Sequence, residues 1–267
     1  MGVEIAMRAA AEHGASPTWD TGTSTLLWVD TPVCRVHRFD PATGREDVLD
    51  LPQRVGAAKP RTGGGLACNL TDGVALLDRD GTRRWLTYWA RDGASCGDAA
   101  VDPMGRLWAG STGWLSVVEP SGDARVVLPD VDTLGGMAWS PDERLAYLVG
   151  PAALDVAEFD TAGATLTGRR TLVDLRDARP AGACVDADGC VWVGLAGAVH
   201  RYTPGGRLDR AVAVPAGQVT GVAFGGSRLT DLYLTSVASS PASTSPDGAL
   251  FVLPDTGSGL PSTTFAG

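Results

Sequence analysis

Few side chains in this sequence are of a type that does chemistry. There are 3 histidines (His13, His37 and His200), 5 cysteines and a single lysine, Lys59. No Ser-His-Asp signature and no nucleophile elbow can be read. Asp78-x-Asp80-Gly81 and Asp186-x-Asp188-Gly189 look like openings of calcium loops. The downstream carboxylate that such a loop needs is missing, and Asp-Gly between apolar runs is a hairpin signal. His37 and His200 sit in Val-His-Arg phrases and read as structural residues of outer strands, which leaves His13 as the histidine free to shuttle a proton near neutrality. The cysteines lack a C-x-x-C pair and read as small buried hydrophobes. Lys59 and Arg61 flank Pro60 in Val55-Gly56-Ala57-Ala58-Lys59-Pro60-Arg61, which reads as a loop between structural units carrying a solvated charge.

The elements that position these residues follow one repeated phrase: a short strand, an Asp/Gly turn, a strand with an aromatic, a second turn. Clear copies are Leu26-Leu27-Trp28-Val29-Asp30 with Val36-His37-Arg38-Phe39-Asp40, and Val101-Asp102-Pro103 with Arg106-Leu107-Trp108. Others are Gly136-Met137-Ala138-Trp139 with Leu145-Ala146-Tyr147, Cys184-Val185-Asp186 with Val191-Trp192-Val193, and Val222-Ala223-Phe224 with Leu232-Tyr233-Leu234. A weaker copy pairs Gly65-Leu66-Ala67-Cys68 with Gly73-Val74-Ala75-Leu76-Leu77. With Pro17, Gly64, Asp98, Gly135, Gly182 and Gly221 as equivalent points, the steps are 47, 34, 37, 47 and 39 residues. Short strands at a repeat of about 40 residues predict an all-β six-bladed propeller of four-stranded blades. It is expected to be one domain over residues 1–267, with very little helix. Gly2–Met7 and Ala249–Leu253 alternate like strands, and their pairing in one blade would seal the ring.

The charge balance narrows the partners. The 31 acidic residues against 22 basic give a net charge of −9, unsuited to phosphate backbones. There is no basic run for an anionic membrane surface and no apolar stretch long enough to span a bilayer. The first residues lack the pattern of a signal peptide. The expectation is a cytoplasmic protein with reduced thiols, a monomer or dimer whose partner is a small molecule. The Arg-over-Lys bias and the Ala and Gly richness suit a GC-rich bacterial genome and a specialised pathway.

The same phrases, in this order, resemble the senescence-marker-protein/regucalcin, gluconolactonase and luciferin-regenerating-enzyme family. The most specific are Leu27-Trp28-Val29-Asp30, Val36-His37-Arg38-Phe39-Asp40-Pro41-Ala42-Thr43-Gly44 and Met137-Ala138-Trp139-Ser140-Pro141-Asp142. The resemblance covers nearly the whole chain and implies a six-bladed propeller. It also implies a divalent cation at the axial mouth, held by Glu, Asn and Asp from separate blades, that polarises a lactone carbonyl. The family's Gly-Glu-[Gly/Ser]-Pro-x-Trp stretch falls on Gly14-Ala15-Ser16-Pro17-Thr18-Trp19, so the Glu is Ala15. The Asn falls on Gly135 and the Asp on Ala181. The substrate-contacting Arg-x-Asn-Asp stretch falls on Ser95-Cys96-Gly97-Asp98 and keeps only Asp98.

With these ligands replaced by Ala and Gly, no metal and no other cofactor is expected. The mouth is expected to be wider and more apolar than in metal-bearing relatives, suited to a less polar molecule than an aldonolactone. Asp98, desolvated there, is the candidate general base and His13 the candidate partner at the rim. Candidate substrate contacts are Ala15, Trp19, Ser95, Gly97, Gly135, Ala181, Thr220 and Arg91, the last in a loop read as shorter than in typical relatives. Strand alternation predicts that positions 95 and 97 face the mouth while Cys96 faces the blade. The expected function is metal-independent lactone or ester hydrolysis, or a cyclisation or isomerisation. The alternatives are a catalytically inactive binding or carrier protein, and a lactonase with a relocated metal.

Overall fold

The computed structural model of the protein describes residues 2–89, 93–131, 134–238 and 246–267. Six antiparallel four-stranded sheets stand around an axis, and no helix forms among the described residues. The first strand, β1 (Glu4–Met7), belongs to the last blade. The first complete blade follows as β2 (Gly14–Asp20), β3 (Thr25–Asp30), β4 (Arg35–Asp40) and β5 (Arg45–Asp50). The second is β6 (Val55–Pro60), β7 (Leu66–Leu70), β8 (Gly73–Leu77) and β9 (Arg83–Tyr88). The third is β10 (Cys96–Val101), β11 (Leu107–Ser111), β12 (Trp114–Val118) and β13 (Ala124–Pro129). The fourth is β14 (Gly136–Trp139), β15 (Leu145–Val149), β16 (Ala153–Asp160) and β17 (Thr165–Asp174). The fifth is β18 (Ala181–Val185), β19 (Val191–Leu195), β20 (Ala198–Tyr202) and β21 (Leu208–Ala213). The sixth runs β22 (Val219–Gly225), β23 (Asp231–Ser236), β24 (Leu250–Leu253), then β1. Glu4 pairs with Val252 and Ile5 with Phe251, so the two ends of the chain close the ring as expected.

The cohesion of this ring lies between blades. Each apolar cluster draws on two neighbouring sheets: Trp19, Leu26 and Trp28 of the first blade pack with Tyr233 and Leu250 of the sixth. Likewise Trp192 and Val199 of the fifth meet Val222 and Phe251 of the sixth, and Trp108 and Leu115 of the third meet Ala146 and Phe159 of the fourth. The middle strands are apolar on both faces because each face meets a neighbour, whereas outer strands such as β5 and β9 alternate or lie open. The Asp-Gly turns do structural work. Asp186 accepts the N–H groups of Asp188 and Cys190 at 3.1 and 3.0 Å and the Trp192 indole at 2.9 Å. Asp102 makes the same set with Met104, Arg106 and Trp108 at 2.9, 3.0 and 3.0 Å. Their carboxylates are thus spent on turn amides and on fixing a tryptophan.

Two features depart from the sequence reading. In the second blade, Leu66–Leu70 and Gly73–Leu77 are the second and third strands, not the first and second. The innermost strand is β6, Val55–Pro60, the segment read as an inter-blade loop. Its Gly and Ala content and terminal proline hide its strand character. The tail beyond β24 also crosses the face where the inner strands end. Phe265 is fully buried in the cluster of Ala57, Leu76 and Val101. Its N–H donates to Pro60 O at 2.8 Å and its carbonyl accepts from Thr62 at 2.9 Å.

Candidate functional site

The inner strands start at Gly14, Val55, Cys96, Gly136, Ala181 and Val219 and run in one direction along the axis. Their first residues therefore surround one opening, the mouth. Neighbouring inner strands approach to backbone contact at glycines. A Cβ on Gly56 would lie 2.1 Å from Gly97 O, and one on Gly182 would lie 2.4 Å from Gly221 Cα. Pairing to the second strand shifts register in five of these strands: between Ala15 and Thr18, Val55 and Ala57, Cys96 and Ala99, Ala181 and Ala183, and Val219 and Gly221. Such bulges break the alternation of side chains and re-aim them.

The mouth opens into a cavity of about 430 Å³. Ala15, Gly97, Gly135, Ala181 and Thr220 line it, with Asp98 deep in the wall and His13 at the rim. Cys96 lines it too, against expectation, because the bulge after it cancels strict alternation. Ser95 does not line it. Its hydroxyl pairs with Thr112 and its carbonyl accepts from Ser111 at 2.6 Å, which holds it against the third blade. Trp19 is 3% exposed and stacks on Tyr233 at 6.0 Å between blades, so it is core. Arg91 lies outside the described residues. Ser236 closes the second strand of its blade and donates to Ala249 O at 2.8 Å. Gly97 also has a packing duty, its carbonyl accepting from Asn69 at 3.0 Å. Thr220 donates to Gly14 O and so ties the sixth blade to the first.

Sequence reasoning missed the centre of the site. Lys59, on β6, is 7% exposed. Its ammonium donates to Ser16 Oγ at 2.9 Å and Thr18 Oγ1 at 2.7 Å, and lies 4.0 Å from Asp98 Oδ1. Asp98 accepts from the Ala99 N–H at 2.8 Å, and the nearby Ser16 hydroxyl favours its charged form. Ser16 lines the mouth, Lys59 and Thr18 line a second axial cavity of about 380 Å³, and Asp98 borders both. The cluster thus forms the waist between them, and tail residues Leu260–Thr263 line the far cavity. Ser16 has φ +51, a left-handed conformation that costs a non-glycine residue roughly 1–3 kcal/mol. The one signal that could have exposed this cluster was the uniqueness of the lysine.

Burial pushes the Asp98 carboxyl up, against the lowering effects of Lys59 and of the Ser16 and Ala99 hydrogen bonds. Burial pushes Lys59 down, against Asp98. His13 is lowered by the crowding of its ring, with Asp30 opposing and Arg54 adding to the effect, so its neutral form is favoured. Burial raises the Cys96 thiol, which keeps it protonated.

The donor set does not fit a divalent cation. Ala15, Gly135 and Ala181 put no side-chain oxygen into the mouth, whereas a hard cation takes about six oxygens. Among the described residues no three His, Cys, Asp or Glu side chains cluster closely enough to hold a metal. Asp98 Oδ1 already has the Lys59 Nζ at 4.0 Å.

The family described as SMP-30/Gluconolactonase/LRE-like region matches residues 13–238. The chain belongs to this family. It is 32% identical over 253 residues to 6-deoxy-6-sulfogluconolactonase of Pseudomonas putida, which covers 88% of this chain and 86% of the relative. It is 30% identical over 257 residues to regucalcin of Danio rerio, with the same coverage of 88% and 86%. The solved structure of a luciferin-regenerating enzyme superposes with a TM-score of 0.91 at 23% identity over 99% of both chains, which speaks for the fold.

Proposed function

We propose that the protein hydrolyses a lactone or ester of a small, weakly polar organic molecule at the axial mouth, without a bound metal. One observation carries the reading: Ser16 and Asp98, both beside the Lys59 ammonium, line the axial mouth. Asp98, made more basic than an exposed carboxylate by burial, takes the proton of the attacking hydroxyl group. The Lys59 ammonium compensates charge beside it, the role of an electrostatic stabiliser in a dry site. Membership of the family, and a relative named for acting on a sulfogluconolactone, support lactone chemistry. The small side chains at positions 15, 135 and 181 leave room for a ligand with fewer hydroxyls than a sugar.

The test is hydrolysis of a series of γ- and δ-lactones of increasing apolar bulk, with and without prior EDTA treatment. The expected result is turnover that EDTA leaves unchanged and that Asp98→Ala lowers by about 10²–10⁴-fold. Turnover abolished by EDTA and restored by Ca²⁺ or Zn²⁺ would overturn metal independence. Saturable lactone binding with no turnover in any of the series would identify a binding protein instead.

A further inference from the structure

Hydrolysis at the mouth can proceed through attack by water or by a protein hydroxyl, and Ser16 has the surroundings of a nucleophile. It lines the mouth at the waist of the channel. Its oxygen accepts from the Lys59 ammonium at 2.9 Å, the same ammonium that lies 4.0 Å from Asp98 Oδ1, so the hydroxyl and the carboxylate share one cation, and the hydroxyl helps to lower the pKa of the carboxyl. Lys59 is itself held by Thr18 at 2.7 Å, and Asp98 by the Ala99 N–H at 2.8 Å. A nucleophile within hydrogen-bond reach of a base that other groups orient is the general signature of covalent catalysis. Ser16 sits in a bulge with a left-handed backbone, a strained geometry of the kind that presents an active-site side chain. Two other nucleophilic side chains of the mouth lack this arrangement: the Thr220 hydroxyl donates to a backbone carbonyl, and burial raises the pKa of the Cys96 thiol.

We propose that Ser16 is a covalent nucleophile for which Asp98 is the general base and Lys59 the cation that stabilises the attacking oxygen. The inference rests on the lactone or ester hydrolase reading and deepens it. Ser16 Oγ forms a bond to the substrate carbonyl carbon while its proton passes to Asp98. The bond from that carbon to the leaving oxygen then breaks, and Asp98 returns the proton to that oxygen. Water attacks the resulting Ser16 ester and gives a proton to Asp98. The ester bond breaks, the acid leaves, and Ser16 Oγ takes the proton back, so the net reaction is hydrolysis. The three residues stand on the inner strands of three successive blades, so the ring sets their spacing and no flexible loop is involved.

The test uses the intact protein, a fluorophosphonate as the trap, and δ-valerolactone and 4-nitrophenyl acetate as hydrolysis probes. The expected result is a mass gain of one phosphonyl group that peptide mapping places on Ser16. Labelling should vanish in Ser16→Ala and slow by about 100-fold or more in Asp98→Asn. Lys59→Met should slow labelling and also remove the alkaline limb of its pH profile, which a purely structural lysine would not do. Mapping the adduct on the unmodified protein needs no variant and so does not depend on whether the variants fold. Hydrolysis by the wild type with no adduct on Ser16, and with Ser16→Ala within about tenfold of wild type, would overturn the covalent step while leaving the hydrolase reading intact. Neither adduct nor hydrolysis would overturn both. An adduct on Ser16 without hydrolysis of either probe would uphold the nucleophile and overturn the substrate class.

Discussion

Asp98 and Lys59 face each other at 4.0 Å in surroundings that disfavour both charges, so the charge of each depends on its partner. Removing one partner leaves the other buried and uncompensated, at a cost of roughly 3–5 kcal/mol, whereas replacing both with apolar groups is often near neutral. Lys59→Met and Asp98→Leu are therefore each expected to lose about 3 kcal/mol in urea unfolding, and the double variant to recover most of that loss. The same pair sets the pH range of activity. Asp98 must be ionised to act as base, and burial raises its pKa, so the acid limb of kcat/KM should lie above the usual carboxylate range of about 4. Lys59 must be charged, and burial lowers its pKa, so the alkaline limb should lie below the usual lysine range of about 10.4. A profile flat from pH 4 to 10 would show that neither group takes part. Only part of this was legible in the sequence. Asp98 stood out because it survives in a family stretch, but Lys59 was assigned to a loop. Ser16 passed unnoticed, since one serine among many carries no local mark.

At the scale of the element, the inner strands owe their function to departures from regularity. An ideal strand sends alternate side chains to opposite faces, and that rule placed Ser95 in the mouth and Cys96 outside it. The bulge between Cys96 and Ala99 places Cys96, Gly97 and Asp98 on the cavity wall and leaves Ser95 bonded to its own blade. Bulges cannot be read from apolar alternation, because an extra residue has the same composition as a regular one. Close approach of the inner strands imposes a second condition. Gly182 has φ +66, and a Cβ there would lie 2.4 Å from Gly221 Cα. Gly182→Ala should therefore cost roughly 3 kcal/mol from backbone strain and overpacking together, measured by thermal or urea unfolding. Gly197, with φ +67 but no atom nearer to such a Cβ than 3.8 Å, should cost clearly less when changed to alanine.

For the whole molecule, stability comes from repetition around a ring and from its closure. Each blade buries both faces of its middle strands on its neighbours, and β1 with β24 removes the last open seam. The tail adds a further clamp. Phe265 fills a fully buried site between the second and third blades, bonded to the end of the strand that carries Lys59. Phe265→Ala is expected to cost about 3–5 kcal/mol, the usual range for emptying a buried aromatic site. It should also raise hydrogen exchange at Thr62 and Ala266, whose N–H groups bond across the tail contact. A loss below about 1 kcal/mol would show that the tail is peripheral to the fold.

The sequence alone determined the number of blades, the all-β class and the sealing of the ring, and it put small side chains at Ala15, Gly135 and Ala181, which line the mouth. Each of these is written locally, in the spacing of apolar residues, in Asp-Gly turns or in one short motif. The tertiary structure alone decided that Ser16, Lys59 and Asp98 meet. They lie on different blades, far apart in the chain, and local patterns determine neither the register of a bulged strand nor which inner strands face one another. Closure of the ring sets both, bringing one residue from each of three ordinary segments into a buried, hydrogen-bonded cluster on the axis.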